Sequence, residues 1–557
     1  MKHLRMRSRG ALIAAVLLVA LALVLAACGS SSSSSGGSAS GGTPKPGGTY
    51  QFALQAEPVN IEPLNAQESE GIQVAHQIFW GLVRYEAKPD GSIGIVPCGA
   101  KSWDVSSDAT TFTFHLNPAM KFGPPVNRQV TAQDYVYSWN RATTPSNGSV
   151  VSYILSPILG SDDSGYAKNG LTGVKAIDDM TLQVKLRYPF AEFPVTLGHT
   201  VAAAVPKEYI QAHGSTAAKQ NEYFDNHPVG TGPYMLQQWV HNQKVVLVKN
   251  PNFWDPKTAG YLDTLNMTIY NNPNTEWLDF QKGILDYTMV PPGQVTAAEN
   301  NANVKSGNWT AKKYPNLGVY FVGINQKSPV VGGPNNLALR QALYESADTQ
   351  AIINVINEGV PLPATGYIPV GISGYVPNQS PYHYDVNAAK ALMAKVGTVP
   401  TLSYWYNTDP GHQKIGEALQ AGWKSIGVNI KLQNYEWGTL LSKLQQAQQQ
   451  LFRMGWLADY PSMDNFLFPL FQSQQARTGS YTFYNNPKFD ALLQQARSTL
   501  DENQRHALYA QAEKMALTDI PAIPLYDYRD FRVTNNRIAN FSHNALGLDD
   551  MWTYWQK

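Results

Sequence analysis

Alternating hydrophobic and polar residues predict strands in the first part of the chain. The segments 111–116 and 181–187 alternate with a period of two, which is typical of half-buried strands. Their inward faces would carry Phe112, Phe114 and Leu116, and then Leu182, Val184 and Leu186. Between them, Thr131 and Asp134 have capping-box spacing, which predicts a helix running toward Trp139.

The region from residue 382 to 460 alternates between helix and strand signals. Asp385 is a candidate N-cap for a helix that Gly397 would end. The buried stripe of that helix would be Ala389, Leu392, Met393 and Val396. Residues 402–406, 412–426 and 428–432 then predict a strand, a helix and a strand. Such units favour a right-handed crossover in a parallel sheet, so we expect an α/β body.

The N-terminus has a different pattern, a basic segment followed by an unbroken apolar run from Ala11 to Val24. This layout is typical of a secretory signal and is too short for a comfortable membrane-spanning helix. Small residues then precede Cys28, an arrangement that resembles the bacterial lipobox. By that resemblance, residues 1–27 are a lipoprotein signal peptide and Cys28 carries the lipid. The alternative is an ordinary secretory signal with a chance cysteine.

Residues 28–48 are almost entirely Ser and Gly, a composition that cannot bury a core and behaves as a flexible tether. The rest of the 557-residue chain is long enough for two or three domains' worth of core. It is 43% hydrophobic and 15% charged overall, which indicates a globular body. Without residues 1–27 the chain has 38 basic residues instead of 42, against 41 acidic ones. The resulting net charge of −3 excludes the basic surface that nucleic-acid binding requires.

Enzyme signatures are missing from the sequence. It contains no G-x-S-x-G elbow, no H-E-x-x-H and no P-loop. Its histidines are scattered singly, so we expect neither a metal site nor a cofactor. With Cys28 lipidated, Cys98 has no partner for a disulfide and is expected to be a buried small hydrophobe. A convergent active site is spatial and stays open as an alternative.

An ordered set of motifs is similar to the solute-binding proteins of peptide-type ABC importers, extracellular solute-binding family 5. The matching segments are 81–85, 102–106, 112–116, 130–134, P-V-G-T-G-P-Y at 228–234, N-P-N-F-W at 250–254, R-Q-A-L at 340–343, G-W-L-A-D-Y-P at 455–461 and I-P-L-Y at 523–526. The segment after Lys121 departs from the family pattern. We expect Gly230 and Gly232 to serve turn geometry.

The resemblance implies a two-lobe periplasmic-binding-protein type II fold with an extra subdomain on lobe I. The implied plan is lobe I in 49–86, 205–313 and 527–557, its subdomain in 87–204, and lobe II in 314–526. The chain would cross between lobes near residues 314–316 and return near 526–532. The lobes of such proteins close on a ligand in the cleft between them.

The resemblance also implies site residues. Asp459 would hold the α-ammonium of a peptide, or else merely cap the turn before Pro461. The backbone of Gly455, Trp456 and Leu457 would pair with an extended ligand, and Trp456 would be cleft wall or plain core. The loop carrying Glu57 and Val59 would face the cleft from lobe I. For the aromatic run 404–406, we expect core packing of one face.

The implied protein is a monomeric, lipid-anchored binding component on the outer face of the cytoplasmic membrane. Its partners would be a peptide, a short one, and an ABC permease and ATPase complex, with no nucleic acid. Within the same fold the solute could instead be an oligosaccharide or another small molecule. An anchored hydrolase or a signalling receptor is the alternative from another class.

Overall fold

The computed structural model describes residues 44–88, 92–291, 293–477 and 479–557. The predicted signal peptide, Cys28 and the tether up to residue 43 lie outside the described residues. The end of the predicted tether belongs to the body, because Gly47 donates its N–H to the Tyr261 carbonyl at 2.8 Å and the Gly48 carbonyl accepts from Asp263. Both glycines have positive φ, a conformation open to glycine at little cost. The folded body therefore starts before residue 49.

The described chain mixes strands and helices. The strands are β1 Thr49–Leu54, β2 Val83–Ala87, β3 Ile93–Pro97, β4 Ala100–Val105, β5 Thr111–Leu116, β6 Val174–Asp178, β7 Thr181–Lys185, β8 Tyr234–Val240, β9 Lys244–Lys249, β10 Thr264–Ile269, β11 Tyr287–Met289, β12 Trp309–Ile324, β13 Leu362–Pro363, β14 Leu402–Asn407, β15 Ile430–Tyr435, β16 Leu451–Leu457, β17 Ala522–Asn535, β18 Ile538–Ala539 and β19 Trp555–Gln556. The α-helices are α1 Ser69–Ile78, α2 Ala132–Thr143, α3 Phe193–Thr196, α4 Lys207–Ala212, α5 Ala217–Asn226, α6 Pro273–Gln281, α7 Val295–Glu299, α8 Ala302–Lys305, α9 Leu337–Glu345, α10 Thr349–Ala351, α11 Val386–Val396, α12 Pro410–Ser425, α13 Trp437–Gln445, α14 Asp464–Phe471, α15 Pro487–Ser498 and α16 Glu502–Asp519. Short 3-10 turns include Ser152–Leu155, and Ile352–Ile356 is a π-helical turn. No helix in the described ranges is both long enough and apolar enough to cross a membrane.

Three larger sheets organise these elements. One has the order β1-β10-β9-β8, with β1 parallel to β10. A second, β4-β5-β7-β6, lies within the predicted subdomain. The third has the order β11-β17-β12-β16-β14-β15, with β13 paired to β17. The β2–β3 hairpin spans the boundary predicted at 86/87, while the lobe boundaries themselves stay predictions.

Strands β12 and β17 form the antiparallel ladder that links two halves of the third sheet. Pro315 pairs with Arg529 and Val319 with Asp527, so three residues of β12 face the single residue Tyr528. On one side of this bulge β17 also pairs with β11, and on the other side β12 also pairs with β16. The bulge lies where the sequence predicts the first crossing between lobes. A bulge bends and twists a strand locally, so the ladder has one built-in point of bending.

The period-two segments form β5 and β7 as predicted, except that β7 ends at Lys185, two residues before the predicted end. All six of their inward residues are at most 3% exposed. Thr131 donates its N–H to the Asp134 carboxylate at 2.8 Å at the start of α2, which confirms the capping prediction. Hydrophobic periodicity was sufficient here because each segment buries only one face.

The strand–helix–strand unit is also confirmed, with shifted ends. Asp385 caps α11, and Gly397 ends it with φ +79°. Strands β14 and β15 are parallel, and β15 begins two residues later than predicted. Helix α12 begins at Pro410 because Asp409 accepts the His412 N–H as its N-cap.

One expectation about packing was confirmed and extended, and another was wrong. Tyr404, Trp405 and Tyr406 pack in the core as predicted, but on both faces of the inner strand β14, and all are less than 9% exposed. Gly230 and Gly232 do not have positive φ, and a β-carbon on either would collide with the backbone at the end of α1. These glycines permit close chain approach rather than a turn. Cys98 is buried as expected, and burial raises its pKa to about 12.

Candidate ligand-binding site

Strand β16 carries three of the predicted site residues and has one open edge. Residues 455–457 pair with 318–320 of β12 on one side. On the other side, β14 pairs only with Leu451 and Phe452. No strand in the described part of the chain pairs with that edge of residues 453–457. An unpaired edge presents N–H and C=O groups to an extended chain, which is the arrangement that strand addition requires.

Asp459 follows β16 and is held by Asn465. The Asp459 N–H donates to Asn465 Oδ1 at 3.0 Å, and Asn465 Nδ2 donates to Asp459 Oδ2 at 3.2 Å. Burial raises the pKa of the Asp459 carboxyl to about 6, although hydrogen bonds from Asn465 and Tyr153 favour its charged form. The carboxylate has no cation within 4 Å among the described residues. It is therefore a partly buried acid without a counter-ion.

Trp456 and Leu457 are the two residues at the end of β16, close to Asp459 in sequence. Trp456 is partly buried and donates Nε1 to Asn465 Oδ1 at 3.1 Å. It is therefore neither fully core nor free cleft wall in this conformation. Leu457 is 45% exposed at the end of β16. Trp456 thus shares the Asn465 amide with Asp459, while Leu457 lies on the strand between them.

Tyr153 reaches Asp459 from the predicted subdomain. It lies in the 3-10 turn Ser152–Leu155, and its hydroxyl donates a hydrogen bond to the Asp459 carboxylate. The same two regions meet where Ala191 donates its N–H to the Arg497 carbonyl at 2.9 Å. Arg497 also donates to the Tyr188 hydroxyl at 3.2 Å. The subdomain therefore packs against the segment that contains Asp459.

Arg453 supplies a positive charge on the same strand. It lies over the ring of Tyr320 at 5.1 Å and near Trp437, and donates to Asn407 Oδ1 at 3.2 Å. Its Nε is buried without a hydrogen-bond partner, and no carboxylate among the described residues forms a salt bridge with it. Burial, and then the Arg453 charge, lower the pKa of nearby His412 to about 4. Arg453 is partly buried, and removing a guanidinium from water without a counter-ion is costly unless an anion reaches it.

The predicted lobe I residues lie in a different environment. The Glu57 carboxylate accepts hydrogen bonds from Trp239 Nε1 at 3.0 Å, His241 Nδ1 at 2.7 Å and Asn242 N at 2.7 Å. It thus secures the turn between β8 and β9, and a ligand would have to compete with three donors. Val59 is 71% exposed and donates its N–H to Glu68. The contacts of these two residues with a ligand stay predictions.

Sequence reasoning did not identify Arg453, Tyr153 or Asn465. Arg453 is the one charged residue in the otherwise uncharged segment 451–457 and belongs to no recognised motif, and Tyr153 is far from Asp459 in sequence. Asn465 stands six residues after Asp459 beside a predicted turn, which is the one signal that could have pointed to it. In the described ranges, no three His, Cys, Asp or Glu side chains converge on a metal-sized site.

Comparison with known proteins places the chain among binding proteins. A model of bacterial extracellular solute-binding proteins, family 5 (middle region), matches residues 94–478. The chain is 31% identical over 510 residues to the oligopeptide-binding protein OppA of Bacillus subtilis, covering 88% of this chain and 89% of that protein. It is 30% identical over 520 residues to the periplasmic oligopeptide-binding protein OppA of Escherichia coli, covering 88% and 90%.

A solved structure supports the same fold. The periplasmic binding protein DppA of Helicobacter pylori, in complex with the peptide STSA, superposes with a TM-score of 0.77 and 25% identity. The match covers 92% of this chain and 98% of that one. The α/β architecture is that of a type II periplasmic binding protein. With the family model matching most of the chain, this protein belongs to the bacterial extracellular solute-binding proteins of family 5.

Proposed function

We propose that this protein is the lipid-anchored binding component of an ABC importer and that it carries short peptides in a cleft between its lobes. The observation that carries the proposal is the pair of uncompensated charges flanking an open strand edge. Asp459 offers a carboxylate at one end, Arg453 a guanidinium at the other, and residues 454–458 lie between them. This arrangement complements a zwitterionic peptide in extended form.

The spacing of the two charges is compatible with a short ligand. Arg453 and Asp459 are six residues apart, so their α-carbons are at most about 20 Å apart at roughly 3.3 Å per residue. The stretch of strand between them is thus comparable in length to a short extended peptide. Relatives named for oligopeptide and dipeptide binding support the same solute class.

Hinge closure fits the β12–β17 ladder. Its hydrogen-bonded pairs continue on both sides of the bulge facing Tyr528, so a rotation there would leave the two halves of the sheet intact. Leu317 in the bulge donates its N–H to the Ala545 carbonyl. We infer that the lobes rotate about this bulge and that peptide contacts with both lobes favour the closed state. The lipid on Cys28 would hold the protein near its permease.

The decisive experiment compares peptides with and without a charged N-terminus. Full-length protein in detergent is titrated with trialanine and N-acetyl-trialanine by calorimetry. Wild type should bind trialanine at least tenfold more tightly, and Asp459→Asn should abolish that preference because a charged hydrogen bond is lost. Binding of a neutral oligosaccharide instead of peptides, or hydrolysis of the peptide, would overturn the proposal.

A further inference from the structure

Asn465 has an unusual set of contacts for a buried amide. Its side chain is fully buried, and Oδ1 accepts two hydrogen bonds, from Trp456 Nε1 and from the Asp459 N–H. Its Nδ2 donates to Asp459 Oδ2. One amide therefore fixes the backbone of Asp459, the carboxylate of Asp459 and the ring of Trp456. Only a group that both donates and accepts can do this.

The start of the helix that carries Asn465 is held by several hydrogen bonds. It is the second residue of α14, and the preceding Asp464 is fully buried. Arg497 donates to the two oxygens of Asp464 at 2.9 and 3.0 Å, and the hydroxyls of Tyr460 and Tyr509 donate at 2.9 and 3.1 Å. Because these contacts already hold the start of α14 in place, the Asn465 side chain loses little further conformational entropy when it orients Asp459 and Trp456.

We propose that Asn465 is the positioning residue of the ligand site, which presents the Asp459 carboxylate, already charged and oriented, to the ammonium group of the peptide. This inference rests on the proposed function. Asn465 does not touch the ligand itself. Its contribution is that the carboxylate needs no reorganisation when the peptide arrives, which is the advantage of a site with a fixed second layer of contacts.

The inference predicts a change in pH dependence. Because the pKa of Asp459 in the free protein is about 6, trialanine affinity in wild type should fall as pH drops below about 6. Asn465→Ala removes a donor to the charged carboxylate, which raises the pKa of Asp459. The acid midpoint of trialanine binding should move up by about one pH unit, while N-acetyl-trialanine shows no such midpoint.

The isosteric variant Asn465→Asp sharpens the test. It keeps the volume but replaces the donor with a second carboxylate, so trialanine affinity at pH 7 should fall at least tenfold. The matched control is Asn325→Ala, because Asn325 is 1% exposed and its amide donates to the Ala447 and Gln449 carbonyls. That variant loses buried amide bonds away from Asp459 and should leave the acid midpoint unchanged.

The outcomes separate the two proposals. If Asp459→Asn abolishes the preference for trialanine while Asn465→Ala weakens both peptides equally and leaves the midpoint in place, Asn465 is merely structural and the inference fails alone. If Asp459→Asn keeps the preference, the proposed function fails. A ligand-free crystal structure of Asn465→Ala gives a readout without any peptide. The Asp459 carboxylate should turn from its present orientation, and an unmoved carboxylate overturns the inference.

Discussion

Gly455 lies against the hydroxyl of Tyr528, so closely that a β-carbon on Gly455 would collide with that oxygen. Tyr528 is the residue that faces the bulge in β12, and its hydroxyl is also a hydrogen-bond partner of Arg453. Gly455→Ala should therefore displace Tyr528, lower the free energy of unfolding by about 1–3 kcal/mol and weaken peptide binding. Chemical denaturation and calorimetry measure the two effects.

A second substitution tests the cause of that loss. Tyr528→Phe removes the colliding oxygen, so the double variant Gly455→Ala/Tyr528→Phe should lose less stability than the sum of the two single variants. Strict additivity would show that the collision is not what excludes a side chain at position 455.

Arg453 should determine the preference for a free peptide C-terminus. Arg453→Met keeps a long side chain but removes the charge, so trialanine affinity should fall at least tenfold because a charge-assisted hydrogen bond is lost. The affinity for trialanine amide, which has no carboxylate, should fall much less. Equal losses for both peptides would contradict a role for Arg453 in carboxylate binding.

Glu57 should matter for the fold rather than for the ligand. Glu57→Gln weakens the acceptance of three hydrogen bonds at the β8–β9 turn, so the free energy of unfolding should fall by about 1 kcal/mol. Trialanine affinity should stay within twofold of wild type. A tenfold loss of affinity with unchanged stability would instead support the sequence-based expectation that Glu57 contacts the ligand.

Two buried carboxyls should make the protein less stable in alkali. Glu513 accepts the N–H groups of Tyr367 and Ile368, and Asp527 on β17 accepts that of Val370. Burial raises the pKa of each carboxyl to about 7, and the neighbouring Glu513 charge further raises that of Asp527. The hydroxyl of Tyr375 also faces both groups.

The sign of the effect follows from linkage. Because both pKa values are higher in the folded state, the stabilising contribution is complete near pH 4 and is lost as pH rises through about 7. Glu513→Gln mimics the neutral form, so its melting temperature should exceed that of wild type at pH 8.5 and should not exceed it at pH 5. Thermal melts across pH 4.5–9 measure this. A variant that is less stable than wild type at every pH would show that the carboxyl is charged in the folded protein.

Cys28 should determine where the protein is retained. Cys28→Ala removes the predicted lipid attachment, so intact protein should appear in the soluble extracytoplasmic fraction and peptide uptake should fall. Purified Cys28→Ala should bind trialanine as wild type does, because the predicted site residues are remote from Cys28 in sequence. If wild type and variant are distributed identically, the alternative of an ordinary secretory signal with a chance cysteine is favoured instead.

Sequence patterns predicted those parts of the fold that depend on local contacts. Helix α11 and strand β5 followed from capping residues and from burial on one face. For strand β14 the sequence predicted core packing of one face only, because its second face is covered by residues remote in sequence. For the site, the motif gave Asp459 and β16, while Tyr153 and Arg453 became recognisable only through tertiary packing. Their roles depend on which charges lack a partner, and sequence does not record that.

The pairing of β12 with β17 also affects how the chain assembles. Strand β17 is the last long strand, yet in the sheet it lies between β11 and β12, with Val319 paired to Asp527. Neither half of that sheet can form completely until the final part of the chain has been synthesised. Long-range pairing of this kind is slow, because loop closure costs entropy before the contacts form. A chain that acquires the partner of β12 last therefore completes this sheet late, which favours export of the chain before it has folded.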